Sequence, residues 1–380
     1  MKQGEIIGKK IKAAREKQKL SQIKLSEAMG WNTHQILLNI ESGTREVKAW
    51  ELAQIAKCLK IDLVDLLEEA SDEKNVPYLL WRKTPVEREV EIRSKFLKQC
   101  EGYYFLEQAL GITISTHRPL PRLDISIMDL KEAEVEEQAN FIRKTFNLGH
   151  YPAVTLSKIL EDYFGVKFIQ FDLYQDSSAA STKCDLGACM LINSRDTPWR
   201  QKFSVAHELF HILTWNESLF RKKKNDEKFH HHNEQMAHAF AAGLLMPEES
   251  IREEIRHVPF LKKCPISDLM AIARKYEVSL QAFLFRLKKL KFITGKIYTQ
   301  IEKDSQFQIW NTLVPQKAEY DSTHLGDRLI WLGYQALSRG IISRIQLAEI
   351  LEISPEQLKN YMEEKGIPTH AETFVKLHHA

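Results

Sequence analysis

The sequence predicts a mainly α-helical protein that contains one small α+β domain. Along most of the chain, apolar residues recur at the spacing of an amphipathic helix. Two short runs, residues 166–171 and 188–193, instead combine β-branched and aromatic residues as strands do. Because predicted helices flank these two runs, we expect a small sheet packed against helices inside an otherwise helical protein.

The composition predicts a globular protein of two or three domains. Its 380 residues are 43% hydrophobic and 28% charged, with a net charge of +3, which is ordinary for a soluble protein. No apolar run approaches the ~20 residues of a membrane span, and no apolar signal core follows the N-terminus. The five cysteines are scattered and odd in number, which favours reduced thiols. We therefore expect a cytoplasmic protein without membrane contact.

Residues 1–70 are predicted to form an N-terminal domain of five helices that contains a helix-turn-helix. Ser21 is placed to cap a short helix that Gly30 ends, and a second short helix ends at Gly43. In a helix-turn-helix, the second of two such helices enters the major groove of DNA. Residues 1–48 carry ten Lys or Arg against five Glu, and this positive excess favours DNA as the partner.

This region resembles the XRE/Cro family of helix-turn-helix repressors, through the pattern Leu20-Ser21-Gln22-x-x-Leu25, Gly30 and Ile40-Glu41-x-Gly43. The resemblance implies a homodimer on a double-stranded DNA operator. The interval between the two glycines is slightly longer than usual, which shifts the base-reading register. Leu37 and Leu38 keep a second interpretation open, in which the domain binds protein or dimerises without DNA. The predicted DNA contacts are Gln22, Lys24, Asn32, Thr33, His34, Gln35, Thr44, Arg45 and Lys48.

Residues 71–128 are predicted to be a linker followed by an amphipathic helix. Residues 71–75 are polar, whereas residues 78–81 are apolar or aromatic. From residue 85 a charged helix with apolar anchors runs to about residue 110 and ends at Gly111. Such a helix is a rigid strut, a dimer seam or an element packed on its own domain, and we favour the last.

Residues 129–258 contain the pattern His207-Glu208-x-x-His211 inside an apolar run. Residues four apart lie on one face of a helix, so the two histidines can hold one metal ion. Glu208 is then placed to take a proton from water at that metal. Catalytic zinc takes three protein ligands, and the best third ligand is Glu234, which begins another helical apolar pattern. The alternative is a pair of core histidines satisfied by hydrogen bonds.

Residues 191–247 resemble the ImmA/IrrE family of bacterial zinc metallopeptidases. The resemblance implies Zn²⁺ bound by His207, His211 and Glu234, Glu208 as the catalytic base, and a zincin-like α+β fold. Two residues depart from the family pattern. Phe210 occupies a position where many members have Gly. His238 occupies a position where Asn is usual, and it is either a partner of a ligand or an alternative ligand. The matching motifs are Trp199-Arg200-Gln201-Lys202-Phe203, Ala206-His207-Glu208-Leu209-x-His211 and Glu234-x-x-Ala237-x-x-Phe240-Ala241-x-x-Leu244-Leu245-Met246-Pro247.

The segments around this motif support four further predictions. The strand that ends at Asn193 is expected to be the sheet edge to which an extended substrate adds. Residues 221–232, which contain a lysine run and a histidine run, are expected to be a solvated loop, with substrate, DNA or metal contact as the alternative. Residues 259–295 form a second helix-turn-helix-like segment that packs on the peptidase or touches nucleic acid. Residues 296–380 form a helical domain of unknown role, in which Ser354 is expected to cap a helix whose first turn contains Pro355.

Two functions follow from these patterns. The first is a DNA-binding regulator with a zinc-dependent endopeptidase domain that cleaves a partner protein, a repressor, in stress, phage or mobile-element regulation. The second is a non-catalytic repressor or antitoxin-like regulator, in which the zinc domain is structural or senses a ligand.

Overall fold

The structure is a computed structural model, and it divides into two compact units, Met1–Pro77 and Tyr78–Ala380. No helix among the described residues is long and apolar enough to cross a membrane. The described residues are 3–18, 20–59, 66, 77–84, 88–113, 117–123, 125–173, 177–256, 265–312 and 326–367.

The described part of the first unit is a bundle of short helices. The side chain of Ser21 caps the second helix by accepting a hydrogen bond of 3.2 Å from the amide of Lys24. Gly30 and Gly43 follow the second and third helices with φ of +69° and +74°, a conformation that glycine adopts without a steric penalty. The predicted helix-turn-helix is thus formed. The helices are α1 (Gln3–Lys17), α2 (Gln22–Ala28), α3 (Gln35–Glu41) and α4 (Ala49–Leu59).

The apolar character of α3 is explained mainly by core packing. Leu37 is fully buried in the core of the bundle, whereas Leu38 is 37% exposed. One leucine therefore holds the helix to its neighbours and leaves the polar start of α3 exposed. The end of the predicted five-helix domain and the polar linker, residues 60–65 and 67–76, lie outside the described residues.

The second unit contains a four-stranded sheet in the order β1-β3-β4-β2. β2 and β4 are parallel, whereas β1 with β3 and β3 with β4 are antiparallel. The two strands predicted from sequence are confirmed as β2 and β4. The strands are β1 (Leu80–Trp81), β2 (Lys167–Phe171), β3 (Ala179–Cys184) and β4 (Gly187–Asn193).

The predicted position of the sheet edge was wrong. Leu191 in β4 pairs with Ala180 on one side and with Ile169 on the other. The strand that ends at Asn193 is therefore internal, and no extended peptide can add to it. The sequence of β3 carries small and polar residues where strands are usually recognised by β-branched and aromatic ones. Without β3, β4 looks like an edge.

Helices cover both faces of the sheet. On one face, α6, α7, α8 and α10 share the main core with residues of β2 and β4. The helices of the second unit in its described part are α5 (Glu89–Ala109), α6 (Glu132–Thr145), α7 (Pro152–Asp162), α8 (Pro198–Leu213), α9 (Glu217–Lys222), α10 (Glu227–Leu245), α11 (Glu248–Arg256), α12 (Ile266–Lys275), α13 (Leu280–Lys289), α14 (Gly295–Glu302), α15 (Ser305–Thr312), α16 (Asp327–Ser338), α17 (Arg344–Leu351) and α18 (Leu358–Glu364).

On the other face, α5 packs together with the C-terminal helices. Phe96 and Tyr103 of α5 share a buried cluster with Leu191 of β4 and with Leu329 and Leu347 of α16 and α17. The amphipathic helix thus packs on its own unit, as we favoured from sequence. The helix-turn-helix-like pair α12 and α13 packs into the main core on the first face.

Two local predictions require correction. Residues 221–232 are largely helical, because α9 ends at Lys222 and α10 begins at Glu227. The histidine run therefore lies in the first turns of α10, which the side chain of Asp226 caps. The last helix begins at Leu358, and the side chain of Gln357 accepts a hydrogen bond from the amide of Ser354, which was predicted to cap the helix.

A buried polar network joins α5, β2, α7 and α16. Glu107 lies 2.8 Å from Nζ of Lys167 and 2.6 Å from the guanidinium of Arg328. The hydroxyl of Tyr103 accepts a hydrogen bond from Arg328 and donates one of 3.1 Å to Glu161. These contacts tie α5 and α16 to β2 and to α7.

Replacing Glu161 with Gln should remove a pH dependence of stability. Burial raises the pKa of Glu161 from 4.5 to about 8, although the Tyr103 hydrogen bond and the charge of Arg328 oppose it. The folded protein then binds this proton more tightly than the unfolded chain, so the stabilisation is complete below pH 4.5 and is lost as the pH rises through about 8. Thermal melts at pH 5 and pH 9 should show a larger fall for the wild type than for Glu161→Gln. Equal falls would contradict this assignment.

Candidate metal centre

Helix α8 carries the central motif on a segment buried on every side. Pro198 occupies its first turn, where the missing N–H costs nothing. His207 and Glu208 are 0% exposed and His211 is 1% exposed. Apolar neighbours along α8 belong to the main core and fix the helix between the sheet and α10. Three buried ionisable side chains in such a helix require partners.

The partners converge on one point. Nε2 of His207 lies 3.2 Å from Nε2 of His211 and 3.1 Å from Oε2 of Glu234. Nε2 of His211 lies 3.2 Å from Oε1 of Glu234. Ligands at 2.0–2.1 Å from a tetrahedral zinc ion are separated from one another by roughly 3.3 Å. The three residues predicted as ligands therefore match, in type and separation, one face of a zinc tetrahedron.

The protonation of the three groups also suits a cation. Burial lowers the pKa of His207 to about 3, so its imidazole is neutral and offers a lone pair. Burial would raise the pKa of Glu234, but hydrogen bonds from His207 and His211 hold it below its ordinary value. Burial would lower the pKa of His211, but the hydrogen bond and charge of Glu234 raise it. A cation would replace the proton that His211 and Glu234 share.

Asn233 supports His211 from the side away from this point. Its side-chain nitrogen lies 3.4 Å from Nδ1 of His211, and its buried oxygen has no hydrogen-bond partner among the described residues. In the alternative amide orientation that oxygen accepts the Nδ1–H of His211 and leaves Nε2 free to bind a metal. Outer partners of this kind fix the tautomer of a ligating histidine.

Replacing Asn233 with Ala should weaken zinc binding by about 10–100-fold, because His211 loses the acceptor that sets its tautomer. Zinc titration against a competing chelator measures this affinity. Gln235→Ala is the matched control, since Gln235 is an exposed amide two residues along the same helix. Equal affinities for the two variants would contradict the role of Asn233.

Glu208 faces the sheet and is not one of the three converging groups. Its Oε2 accepts a hydrogen bond of 2.6 Å from the hydroxyl of Ser181 in β3. Its Oε1 has no hydrogen-bond partner in the described part of the chain. Burial raises the pKa of Glu208 to about 7, against the opposing effects of His211 and Ser181. A carboxylate with a pKa near neutrality and one free oxygen can take up and return a proton.

The two departures from the family pattern take different places. Phe210 is fully buried and its ring centroid lies 5.6 Å from that of Phe240, so it adds packing between α8 and α10. His238 is not among the converging groups: its Nδ1 lies 3.0 Å from the backbone oxygen of Glu234, and its Nε2 lies 3.0 Å from Nη2 of Arg82. Because both ring nitrogens have partners, His238 fits a neighbour of the site better than an alternative ligand.

Several predicted DNA contacts lie exposed near the start of α3, and others are engaged within the first unit. Gln22 donates a hydrogen bond of 2.7 Å to Glu41, which also pairs with buried Arg15. Arg45 donates to Glu51 at 2.8 Å, and Thr44 donates to the backbone of α3. The predicted contacts that are exposed are Lys24, Asn32, Thr33, His34, Gln35, Thr44 and Lys48.

Three residues at the site were not predicted from the sequence. Ser181 lies in the unrecognised strand β3, and Arg82 lies in the segment before α5. Arg82 donates a hydrogen bond of 3.2 Å to Ser204 in α8. Asn233 directly precedes Glu234, and its position beside the predicted third ligand is the one signal for it in the sequence.

Two family models match the chain. Residues 161–288 match the IrrE N-terminal-like domain, and residues 11–66 match the helix-turn-helix family. Both matches agree with the resemblances drawn from the motifs. The chain therefore joins an XRE-type helix-turn-helix region to an IrrE-like, metallopeptidase-like region.

Other comparisons add little. A comparison with curated proteins finds no match. Among solved structures, a chain described as a Mycobacterium tuberculosis transcriptional regulator is 13% identical, with a TM-score of 0.31. The match covers 50% of this chain and 51% of that chain, so this chain spans about half the length of that regulator. A TM-score this low does not indicate a shared fold.

Proposed function

We propose that this protein is a DNA-binding regulator with a zinc-dependent endopeptidase domain. Its substrate is a partner protein, a repressor, whose cleavage switches genes in stress, phage or mobile-element regulation. The observation that carries the proposal is the convergence of His207, His211 and Glu234 beside the partly unpartnered carboxylate of Glu208. Buried histidines that serve only the core have no need of a third, charged partner.

Each residue of the site has a separate role in the proposed reaction. His207, His211 and Glu234 would hold the ion. Zinc, when bound, polarises a peptide carbonyl and makes water more acidic. Glu208 accepts a proton from water on its free oxygen and returns it to the leaving amine, while Ser181 holds the other oxygen. Glu234 is 25% exposed while the histidines are buried, so a peptide reaches the site from the Glu234 side.

The first unit would bring this site to DNA. Asn32 and Gln35 carry amides suited to adenine, and Lys24 and Lys48 are placed to meet phosphates. A homodimer on a palindromic operator would place two such units on one duplex. The exposed start of α3 supports this reading.

The test combines metal content with partner cleavage. Wild type and His211→Ala are purified and their zinc is quantified, and each is expressed beside the products of neighbouring genes. We expect zinc and a new partner fragment with wild type, and neither with His211→Ala. His231→Ala, a change of an exposed histidine in α10, is the matched control and should behave as wild type. Zinc in wild type without a fragment under stress would favour the non-catalytic regulator, and no zinc would overturn the metal centre.

A further inference from the structure

The segment Tyr78–Arg82, here called the strap, lies on the edge of β3. Leu80 pairs with Ser181 and Trp81 with Ala180 in antiparallel register. The amide of Arg82 continues the ladder by donating a hydrogen bond of 3.2 Å to the backbone oxygen of Ala179. An edge strand offers its free N–H and C=O groups to any extended chain, and here the chain's own segment takes them.

The register places the strap beside the proposed catalytic base. Leu80 lies opposite Ser181, and the hydroxyl of Ser181 donates to Glu208. Successive side chains of a strand point to opposite faces, so Leu80 and its second neighbours Tyr78 and Arg82 share the face that looks towards α8. The neighbouring residue Leu79 is buried in the cluster on the other face.

The apolar side chains of the strap fill a pocket that is separate from the main core. Leu80 and Tyr78 are 3% and 9% exposed, and the Tyr78 ring stacks on Phe220 with centroids 6.2 Å apart. The pocket is formed by the loop that follows α8 and by residues of α9 and α10, together with one residue from the turn before α6. Its walls are Ile127, Trp215, Leu219, Phe220 and Phe229.

Arg82 extends the strap to the metal centre. Its guanidinium donates 3.2 Å to Ser204 and 3.0 Å to His238, whose ring centroid lies 4.8 Å from that of His207. Burial lowers the pKa of Arg82, and the charges of Glu208 and Glu234 oppose this effect. An arginine at this point of an extended peptide therefore has hydrogen-bond partners in Ser204 and His238.

We propose that the strap occupies the peptide-binding site of this protein and closes it to other peptides until the strap is released. The site is the edge of β3 that the strap covers, together with the apolar pocket and the two partners of Arg82, Ser204 and His238. Its ligand is an extended peptide with an aromatic residue, a leucine and an arginine at alternate positions, as in Tyr78, Leu80 and Arg82. The fate of that peptide rests on the function proposed above, whereas its binding does not.

The strap competes strongly because it is tethered. A segment joined to its own site by a short connection acts at an effective concentration on the order of millimolar. A free peptide with the same contacts therefore binds weakly while the strap is seated.

A binding experiment without turnover tests the proposal. A fluorescein-labelled peptide with the sequence of residues 76–84 is titrated by anisotropy against the full chain in a Glu208→Gln background, which cannot cut the probe. Adding Leu80→Asp places a charge in the apolar pocket and should release the strap, raising the affinity for the peptide at least tenfold. Adding Val90→Asp, the same kind of change at a residue 81% exposed, is the control and should leave the affinity low. Equal affinities of a folded Leu80→Asp protein and the control would overturn the proposal.

A second measurement needs no variant in the strap. In the Glu208→Gln chain, saturating peptide should speed hydrogen exchange at the amide of Arg82 at least tenfold, while the amides of β3 stay protected. Unchanged exchange at Arg82 with the peptide bound would overturn the proposal. Both measurements report binding alone, so a failure of partner cleavage leaves them unaffected and the two proposals can fail separately.

Discussion

Replacing Glu208 with Gln is expected to slow cleavage of the partner protein by about 10²–10⁴-fold, which is the usual contribution of a positioned general base. Glutamine keeps the size of the side chain and can still accept a hydrogen bond from Ser181, but it cannot take a proton from water. The zinc content should remain that of the wild type, because Glu208 is not one of the three converging groups. Cleavage rates at saturating partner and metal analysis of the same preparations give both quantities.

Ser181→Ala is the informative companion to this variant. Ser181 touches only the second oxygen of Glu208, at 2.6 Å, so its loss should leave most of the cleavage rate while altering the pH at which cleavage begins. A Glu208→Gln protein that cleaves as fast as Ser181→Ala would refute the assigned role of Glu208. Loss of zinc from Glu208→Gln would instead place this carboxylate among the ligands.

Replacing Glu107 with Ala is expected to lower the free energy of unfolding of the second unit by about 3–5 kcal/mol, because buried Lys167 and partly buried Arg328 lose their shared counterion. Its side chain is 4% exposed, and the side chain of its partner Lys167 is 2% exposed. The second partner, Arg328, belongs to a helix more than two hundred positions away along the chain, so the loss also loosens α16 from α5. Urea unfolding followed by tryptophan fluorescence measures the change.

Two further variants separate this effect from a simple loss of helix stability. Glu101→Ala removes an exposed glutamate from the same helix and should change the free energy of unfolding by less than about 0.5 kcal/mol. Adding Lys167→Met to Glu107→Ala removes one unpaired charge and should recover part of the loss. Equal destabilisation by Glu101→Ala and Glu107→Ala would show that the ion network contributes nothing.

The parts of the fold that sequence predicts are those set by local periodicity. The spacing of His207 and His211 places both on one helical face whatever surrounds them, and the glycines that end α2 and α3 act within a single turn. The strands β2 and β4 carry the residues that favour pleated, buried surfaces. Each of these signals lies within a few consecutive residues.

The parts that sequence misses depend on pairing between distant segments. β3 is recognisable only through its neighbours, since its small residues are buried by β4, β1 and α8 rather than by an alternating pattern of their own. The contact of Ser181 with Glu208 and the placement of Arg82 follow from that pairing. The mistaken prediction of the sheet edge has the same cause. Because β3 was not recognised, β4 was taken for the edge strand, although it lies between β3 and β2.

The layer that α5 and the C-terminal helices form has a consequence for modularity. This layer covers the face of the sheet opposite α8, and it is assembled from the two ends of the second unit. In a chain shortened to end at residue 295, part of this apolar face would be exposed to solvent. We expect such a shortened protein to self-associate. We therefore expect the smallest independently folding module to run from the strap to α18. This module extends far beyond residues 161–288, which match the family model.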